Sequence, residues 1–156
     1  MLFKLLDKTV KGLLIFLFVS MVVIGFMQIF FRYVLGNSLS WSEESIRYMF
    51  VWATFLGVPV GVDRGLHASF DILARRLPSN YKLPYEIFLL LLTGAVFAIL
   101  AYIGFPYAFK NIRQLTPALR IPYTYVILAV PVGSIIGILY VLHCIARLFR
   151  KEEGKI

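Results

Sequence analysis

The side chains best suited to form ion pairs or to bind a charged partner are concentrated in one short stretch of the chain. They are Arg32, Trp41, Glu43, Glu44 and Arg47. Glu43 precedes Arg47 by four residues, which is the favourable order for an ion pair along one face of a helix. Arg32 lies just across a short turn with the sequence GNSLS at 36–40. Because the four charges cancel, we predict a network of mutual salt bridges that fastens the segments on either side of this turn, with docking of a partner protein as the alternative.

The two histidines, His67 and His143, each lie at the edge of a long apolar block. Histidines on neighbouring membrane helices can ligate a haem, so a haem-binding membrane anchor of a redox enzyme is one alternative function. However, His67 belongs to a charged stretch and the sequence has no second pair of histidines. The chain also lacks a phosphate-binding loop, a metal-ligand spacing and a nucleophile paired with a base. We therefore predict no catalytic site, no metal site and no cofactor.

The apolar blocks carry no Asp, Glu, Lys, Arg or His in their middle thirds. Proton relays and many ion sites in membranes use such side chains. The polar residues at depth are uncharged: Gln28, Thr54, Thr93 and Ser134. This pattern disfavours a proton-coupled carrier made of this chain alone. A self-contained small homodimeric transporter is kept as an alternative, in which Gln28 would be required for transport.

Four long apolar blocks carry or border all of these residues. The approximate spans are 12–35, 42–62, 85–109 and 122–148. Each is long enough for a transmembrane helix, which needs about 20 apolar residues. With 60% hydrophobic and 15% charged residues, the composition excludes a soluble domain. We therefore predict an all-α integral membrane protein, with a single four-helix transmembrane domain over residues 1–156 and Pro84 in the first turn of the third span.

The segments outside the spans are too short for a further domain. Residues 1–11 place leucines on one face and lysines on the other, which predicts a short interfacial helix leading into the first span. Residues 63–84 form the longest non-spanning stretch and predict a second interfacial helix. Gly36-Asn37 is expected to end the first span, and Pro131 to bend the fourth.

The distribution of basic residues predicts the orientation of the chain. The formal net charge is +8, and the basic residues lie mostly in connections and tails, so we interpret them as topological and predict no nucleic-acid partner. Four spans place both termini on one side, together with eleven of the 16 basic residues: Lys4, Lys8, Lys11, Arg64, Arg75, Arg76, Lys82, Arg147, Arg150, Lys151 and Lys155. The other side has five: Arg32, Arg47, Lys110, Arg113 and Arg120. The positive-inside rule therefore predicts cytoplasmic N- and C-termini.

Small residues recur at four-residue spacing in two of the spans. The rows are Ala53, Gly57 and Gly61 in the second span, and Ala129, Gly133 and Gly137 in the fourth. Such rows allow helix backbones to approach closely in lipid. They predict helix packing, either within the chain or against another membrane subunit.

Taken together, these residues resemble a known family. The first matching patch comprises Phe31-Arg32-Tyr33, Trp41-Ser42-Glu43-Glu44, Arg47-Tyr48, Val51-Trp52, Phe55-Leu56-Gly57 and the loop residues Arg64, His67 and Asp71. The second comprises Thr116-Pro117-Ala118-Leu119, Ile121-Pro122 and Pro131-Val132-Gly133. The set resembles the small membrane subunit (DctQ-type, or Q subunit) of tripartite ATP-independent periplasmic (TRAP) transporters, over about residues 12–148. Arg120 stands where a glycine is more often found.

The resemblance implies an accessory role in the bacterial inner membrane, and no enzymatic activity. In such transporters a large membrane subunit (M-type) carries the substrate and sodium sites, and a periplasmic binding protein delivers organic acids such as C4-dicarboxylates or sialic acids. The small subunit supports the large one as a scaffold, so the implied partners are the large subunit, the binding protein and membrane lipids. Since basic patches steer acidic partners, Lys110, Arg113 and Arg120 are candidate contacts for the binding protein.

Overall fold

The computed structural model describes residues 2–63 and 79–153, and the regular elements in these residues are helices. They are α1 (Leu2–Tyr33), α2 (Ser40–Asp63), α3 (Ser79–Lys110), the single-turn α4 (Thr124–Ile127) and α5 (Ala129–Glu153). Four segments are long and apolar enough to cross a membrane: Phe3–Tyr33, Ser40–Asp63, Tyr81–Lys110 and Thr124–Arg150. The predicted all-α, four-span membrane fold is therefore confirmed.

The helices stand in an open row rather than in a closed bundle. Helix α5 packs against α2 on one side and α3 on the other, and α1 packs against α2, which gives the order α1–α2–α5–α3. In the described residues α1 and α3 make no comparable contact with each other. Large apolar side chains along these two flanking helices are consequently exposed, among them Phe16, Phe26 and Ile99. Such a surface is stable only against lipid or another membrane protein.

The row has two ends, which we call the hairpin end and the terminal end. The hairpin end comprises residues 32–48 and 110–125, and the terminal end comprises residues 3–11, residue 63 and residues 140–150. At the hairpin end, Gly36 has a φ of +63°, the left-handed conformation that commonly follows the end of a helix. The Asn37 N–H donates to the carbonyl of Phe31 at 3.1 Å. The predicted termination of the first span at Gly36-Asn37 thus has a direct backbone cause.

The fourth span is interrupted where proline chemistry requires it. Helix α4 ends at Ile127, four residues before Pro131. A proline has no N–H to donate to the carbonyl four residues back, and its ring clashes with that carbonyl. The Leu128 and Val132 N–H groups still donate to Thr124 and Leu128, at 2.9 and 3.1 Å. One bent helix from residue 122 was expected, whereas the structure has two helices with a break at Leu128.

Two predicted helix starts are wrong. Residues 2–11 are not a separate interfacial helix, because α1 runs without a break over 32 residues and its first turns pack against α5. At 1.5 Å per residue α1 is about 48 Å long, so it extends beyond a hydrocarbon layer about 30 Å thick. Pro84 is an interior residue of α3, since that helix already begins at Ser79. The rest of the second predicted interfacial helix, at 64–78, lies outside the described residues.

Candidate functional site

Glu44 is the central residue of the hairpin end. It lies in the second turn of α2 and is only 8% exposed. Its carboxylate accepts hydrogen bonds from the backbone N–H groups of Ala118 (2.6 Å) and Leu119 (3.1 Å), and from the Tyr48 hydroxyl. A buried carboxylate is stable when several donors satisfy it, and charge-assisted bonds of this kind are about twice as strong as neutral ones. Glu44 therefore anchors a turn more than seventy residues away in the sequence.

Glu44 is the first of three side chains on one face of α2 that contact this part of the chain. Glu44, Tyr48 and Trp52 are spaced by four residues and so lie on one helix face. The Tyr48 ring packs edge-to-face against Tyr123, with centroids 6.1 Å apart, and the Trp52 indole N–H donates to the carbonyl of Tyr125 at 3.1 Å. All three side chains thus contact the segment that leads into α4. We call Glu44, Tyr48 and Trp52 the α2 clamp.

The clamped segment is a tight turn with its own internal bonds. The Thr116 N–H donates to Ile121 (2.9 Å), and the Ile121 N–H donates back to the Thr116 hydroxyl (3.1 Å). Thr116 is almost fully buried, and Leu115 and Pro122 form an isolated antiparallel bridge. Arg120 has a φ of +52°, a left-handed conformation that costs a residue with a Cβ about 1–2 kcal/mol. This geometry explains why a glycine would suit the position.

The structure brings together the two patches on which the family resemblance rests. Glu44, Tyr48 and Trp52 belong to the first patch, while Thr116, Ala118 and Leu119 belong to the second. The sequence contains both sets but does not reveal that one holds the other. The reason is that Glu44 binds backbone N–H groups of the turn. Every residue except proline has such a group, so the residue types in the turn do not identify it as the partner of Glu44.

The predicted network of four mutually paired charges is not formed, and this expectation is corrected. Glu43 pairs with Arg47 at 3.0 Å, and both side chains are well exposed. Glu44 points about 100° away around the helix and binds the turn instead. The Arg32 guanidinium lies 5.9 Å from the ring centre of its neighbour Tyr33, and Trp41 is partly exposed at the start of α2. An exposed pair such as Glu43–Arg47 contributes about 0.3–0.5 kcal/mol, too little to fasten the hairpin.

The charge balance of the hairpin end favours an anionic partner. Both acidic side chains there have partners, since Glu43 binds Arg47 and Glu44 binds the turn. The exposed basic residues without an ion pair to any described residue are Arg32, Lys110, Arg113 and Arg120. Lys110 ends α3, Arg113 follows in the connection, and Arg120 lies in the clamped turn. The three candidate contacts for the binding protein therefore lie at one end of the row, exposed.

The small-residue rows lie at helix interfaces within the chain. A Cβ at Gly133 would be 2.5 Å from the Phe55 carbonyl oxygen of α2, and one at Gly137 would be 2.6 Å from the Phe97 ring of α3. Ala53 and Ala129 are buried, and Gly61 is half-buried. A Cβ at Gly57 would meet Leu14 of α1 at an ordinary 3.9 Å. At Gly133 and Gly137 the absence of a side chain is required by packing inside this chain.

The terminal end contains a polar cluster that sequence reasoning missed. The buried Tyr140 hydroxyl donates to Asp7 at 2.9 Å, and Asp7 also pairs with Lys11. Arg147 reaches the carboxylate of Asp63 at 3.4 Å and its carbonyl at 3.1 Å. The Cys144 thiol lies 3.6 Å from the same carboxylate. These contacts tie both α1 and α2 to α5. Tyr140 is four residues before Cys144 and seven before Arg147, and this spacing on one helix face was the available signal.

Of the two candidate haem ligands, only His143 lies within the described residues. The His143 ring stacks on Phe3 of α1, with centroids 3.6 Å apart and planes nearly parallel. His67, like the loop-motif residues Arg64 and Asp71, lies outside the described residues. In residues 2–63 and 79–153, no group of three or more His, Cys, Asp or Glu side chains is arranged to hold a metal ion.

The polar side chains at depth are used within their own helices. The hydroxyls of Thr54, Thr93 and Ser134 each donate to the carbonyl four residues earlier, at 2.7 to 2.8 Å. Gln28 is half-buried in α1. Because each hydroxyl proton is donated within its own helix, only the oxygen lone pairs of these side chains stay available to another group.

Comparison with known proteins gives a consistent result. The family model described as "Tripartite ATP-independent periplasmic transporters, DctQ component" matches residues 21–154. The chain is 35% identical over 102 residues to the C4-dicarboxylate TRAP transporter small permease protein DctQ of Rhodobacter capsulatus, which covers 64% of this chain and 44% of that protein. It therefore spans less than half the length of that relative.

Two further relatives differ in the fraction of their length that aligns with this chain. The sialic acid TRAP transporter small permease protein SiaQ of Vibrio cholerae is 23% identical over 158 residues, covering 99% of this chain and 89% of that protein. The isethionate TRAP transporter permease protein DctMQ of Oleidesulfovibrio alaskensis is 30% identical over 98 residues, covering 60% of this chain but 15% of that protein.

Proposed function

The chain belongs to the DctQ component family of tripartite ATP-independent periplasmic transporters, and we propose that it acts as the accessory scaffold subunit of a binding-protein-dependent secondary transporter. The family is a transporter component, so the chain is a multi-pass protein of the bacterial inner membrane and not an enzyme. The observation that carries the scaffold role is the open row of helices, whose flanking faces on α1 and α3 are apolar and exposed.

The open row supports a partner of the same membrane rather than independent transport. Ion and proton paths in membranes commonly use ionisable side chains, whereas the spans of this chain have none in their middle thirds and the hydroxyls of Thr54, Thr93 and Ser134 donate within their own helices. An exposed apolar face along a rigid row provides a broad surface for a large membrane subunit. The relative named DctMQ, in which this chain matches a small part of a longer permease protein, supports the same pairing.

We further propose that both termini are cytoplasmic and that the hairpin end contacts the binding protein. With cytoplasmic termini the hairpin end would face the periplasm, where a binding protein would approach. We place the contact on the basic residues of the hairpin end, with Arg113 and Arg120 at its centre and Lys110 at its edge. The α2 clamp supports this assignment, since it holds the turn that carries Arg120 in one position.

The transported solute is proposed to be an organic acid imported with sodium. Relatives are named for C4-dicarboxylate, sialic acid and isethionate, which are all anions. The substrate and sodium sites would lie on the large subunit, because the spans of this chain have no charged side chain in their middle thirds.

Reconstitution tests the proposal directly. The chain, the large subunit and the binding protein would be placed in proteoliposomes together, and each would be omitted in turn. We expect sodium-driven uptake of an organic acid with all three and none with this chain alone. Uptake by this chain alone, abolished by Gln28→Ala, would instead establish the small homodimeric transporter. A haem Soret band in the purified chain would establish the redox anchor, which no contact in the described residues favours.

A further inference from the structure

An apolar groove of about 370 Å³ opens on the surface of the row between α2, α3 and the junction of α4 with α5. Residues that line it include Val51, Ile103, Gly104, Tyr107, Val126 and Val130. The lining is almost wholly apolar, and Ile103 and Tyr107 are well exposed, so the groove opens toward the surroundings of the row. Because the lining is apolar, the groove gains more from contact with an apolar group than with water or a polar group.

The groove lies beside the break in the fourth span, since Ile127 and Val130 both line it. Gly104 allows α3 to approach the Pro131 ring, since a Cβ at Gly104 would lie 3.0 Å from Pro131 Cδ. Pro131 in turn ends α4 at Ile127, where the chain changes from one helix to the next. The groove therefore adjoins a close contact between α3 and α5.

Lys110, an exposed basic residue, lies beyond the groove on the side of the hairpin end. Ile103, Tyr107 and Lys110 are spaced by four and three residues, so they lie along one face of α3. Tyr107 lines the groove, and Lys110 is exposed one turn beyond it. Arg113 follows in the connection and is also exposed. Within the described residues neither Lys110 nor Arg113 forms an ion pair with a carboxylate.

We propose that this groove and Lys110 form a binding site for one anionic phospholipid of the surrounding leaflet. One acyl chain lies in the groove against Val51, Ile103 and Val130, and the phosphate accepts hydrogen bonds from the Lys110 ammonium, with Arg113 adding positive potential. Apolar lining and a cation one helical turn beyond it match the two ends of such a lipid, whereas an apolar helix of a partner protein would leave the cation unused. The proposal does not rest on the proposed function.

Native mass spectrometry of the full chain, released from nanodiscs, tests the site. Phosphatidylglycerol and phosphatidylcholine serve as the anionic and zwitterionic probes. We expect one retained phosphatidylglycerol and weaker retention of phosphatidylcholine. Lys110→Gln should weaken phosphatidylglycerol binding by about tenfold, the loss expected for one charge-assisted hydrogen bond. Lys82→Gln, at the other end of α3, should leave it unchanged.

The groove itself is tested by a matched pair of variants. Ile103→Phe adds volume inside the groove and should reduce the retention of both lipids. Ile99→Phe places the same side chain one turn away, at a similarly exposed position that does not line the groove, and should have no effect. Circular dichroism of both variants checks that they fold.

Three results would overturn the assignment. The first is equal retention of the two lipids by the wild-type chain. The second is an equal effect of the two phenylalanine variants, which would indicate general contact with the bilayer. The third is loss of the retained lipid when the chain is assembled with the large subunit, which would show that a partner helix fills the groove.

Discussion

Gly133 of α5 lies directly against the backbone of Phe55 in α2. A Cβ at Gly133 would be 2.5 Å from the Phe55 carbonyl oxygen and 2.8 Å from Phe55 Cβ. The same carbonyl lacks its usual helical partner, because the residue four positions on is Pro59, which has no N–H. A proline in one helix thus frees a carbonyl, and a glycine in the next helix allows close approach to it. The α2–α5 pair at the centre of the row depends on this combination.

Replacement of Gly133 by alanine should therefore destabilise the fold. The neighbour that must move is backbone, which cannot shift cheaply, so we expect a loss of about 1–3 kcal/mol in the free energy of unfolding. Unfolding of the purified chain in detergent, followed by circular dichroism, measures the change. Gly12→Ala is the matched control, since nothing lies within 4 Å of a Cβ there. Alanine at that exposed helical site should be neutral or stabilising by up to about 1 kcal/mol. Equal stabilities of the two variants would contradict this account of the α2–α5 contact.

Removal of the Glu44 carboxylate should release the turn at 116–121. In Glu44→Ala the Ala118 and Leu119 N–H groups lose a charged acceptor, an interaction of about 1.5–3 kcal/mol. Trypsin cleaves after arginine, so the rate of cleavage after Arg120 reports how often the turn opens. We expect a clear increase in this rate for Glu44→Ala.

The adjacent acidic residue provides the control for that experiment. Glu43→Ala removes an exposed ion pair with Arg47 on another face of α2, so the cleavage rate after Arg120 should stay at the wild-type value. If both variants raised the rate equally, the turn would be held by the general charge of the hairpin end and not by the specific bonds to Glu44.

The hydroxyl of Tyr140 should contribute to the attachment of α1 at the terminal end. Tyr140 is fully buried and donates to Asp7, so Tyr140→Phe leaves a carboxylate oxygen short of one donor. We expect a loss of about 1–3 kcal/mol in unfolding free energy. Tyr102→Phe is the control, because Tyr102 is 83% exposed on α3, and its stability should match the wild type. A Tyr140→Phe variant as stable as the control would show that the hydroxyl is not needed, and that packing against α2 together with the Phe3–His143 stack holds α1.

The parts of the fold that were predictable from the sequence are those governed by local chemistry. Long apolar blocks predict spans wherever lipid is the solvent, Gly36 ends a helix because of its own conformational freedom, and Pro131 disrupts its own span. The continuous helix from Leu2 was missed because residues 2–11 mix apolar and basic side chains, whereas the contact of Asp7 with Tyr140 places these turns against α5. The start at Ser79 was missed because it lies in a polar segment, where hydropathy carries no signal.

The order of the helices and the partners of Glu44 could not be predicted in the same way. A helix that is apolar on every side carries no amphipathic pattern to identify its neighbour, so an open row and a closed bundle have the same sequence appearance. Glu43 and Glu44 are identical in type and adjacent in the chain, yet one faces solvent and the other binds a turn. Only the rotation of α2 relative to the turn distinguishes them.

Arg120 combines a strained backbone with an exposed charge, and two substitutions separate these roles. At a φ of +52°, Arg120→Gly removes a strain of about 1–2 kcal/mol but increases the entropy of the unfolded chain, which offsets about 0.5–1 kcal/mol. We therefore expect Arg120→Gly to range from neutral to stabilising by about 1.5 kcal/mol. Arg120→Glu keeps the strain and reverses the charge, so its stability should stay close to that of the wild type.

Uptake by the reconstituted three-component transporter then tests the charge. If Arg120 contacts the binding protein, Arg120→Glu should raise the concentration of binding protein needed for half-maximal uptake. This concentration should also depend less on salt than in the wild type, because the attraction between opposite charges that salt screens has been removed. Arg120→Gly should raise that concentration less, since it removes the attraction without adding repulsion. A different outcome is that uptake is unchanged in both variants while Arg120→Gly shows the expected gain in stability. Arg120 would then affect only the conformation of the turn, and the binding protein would have to contact other residues of the hairpin end.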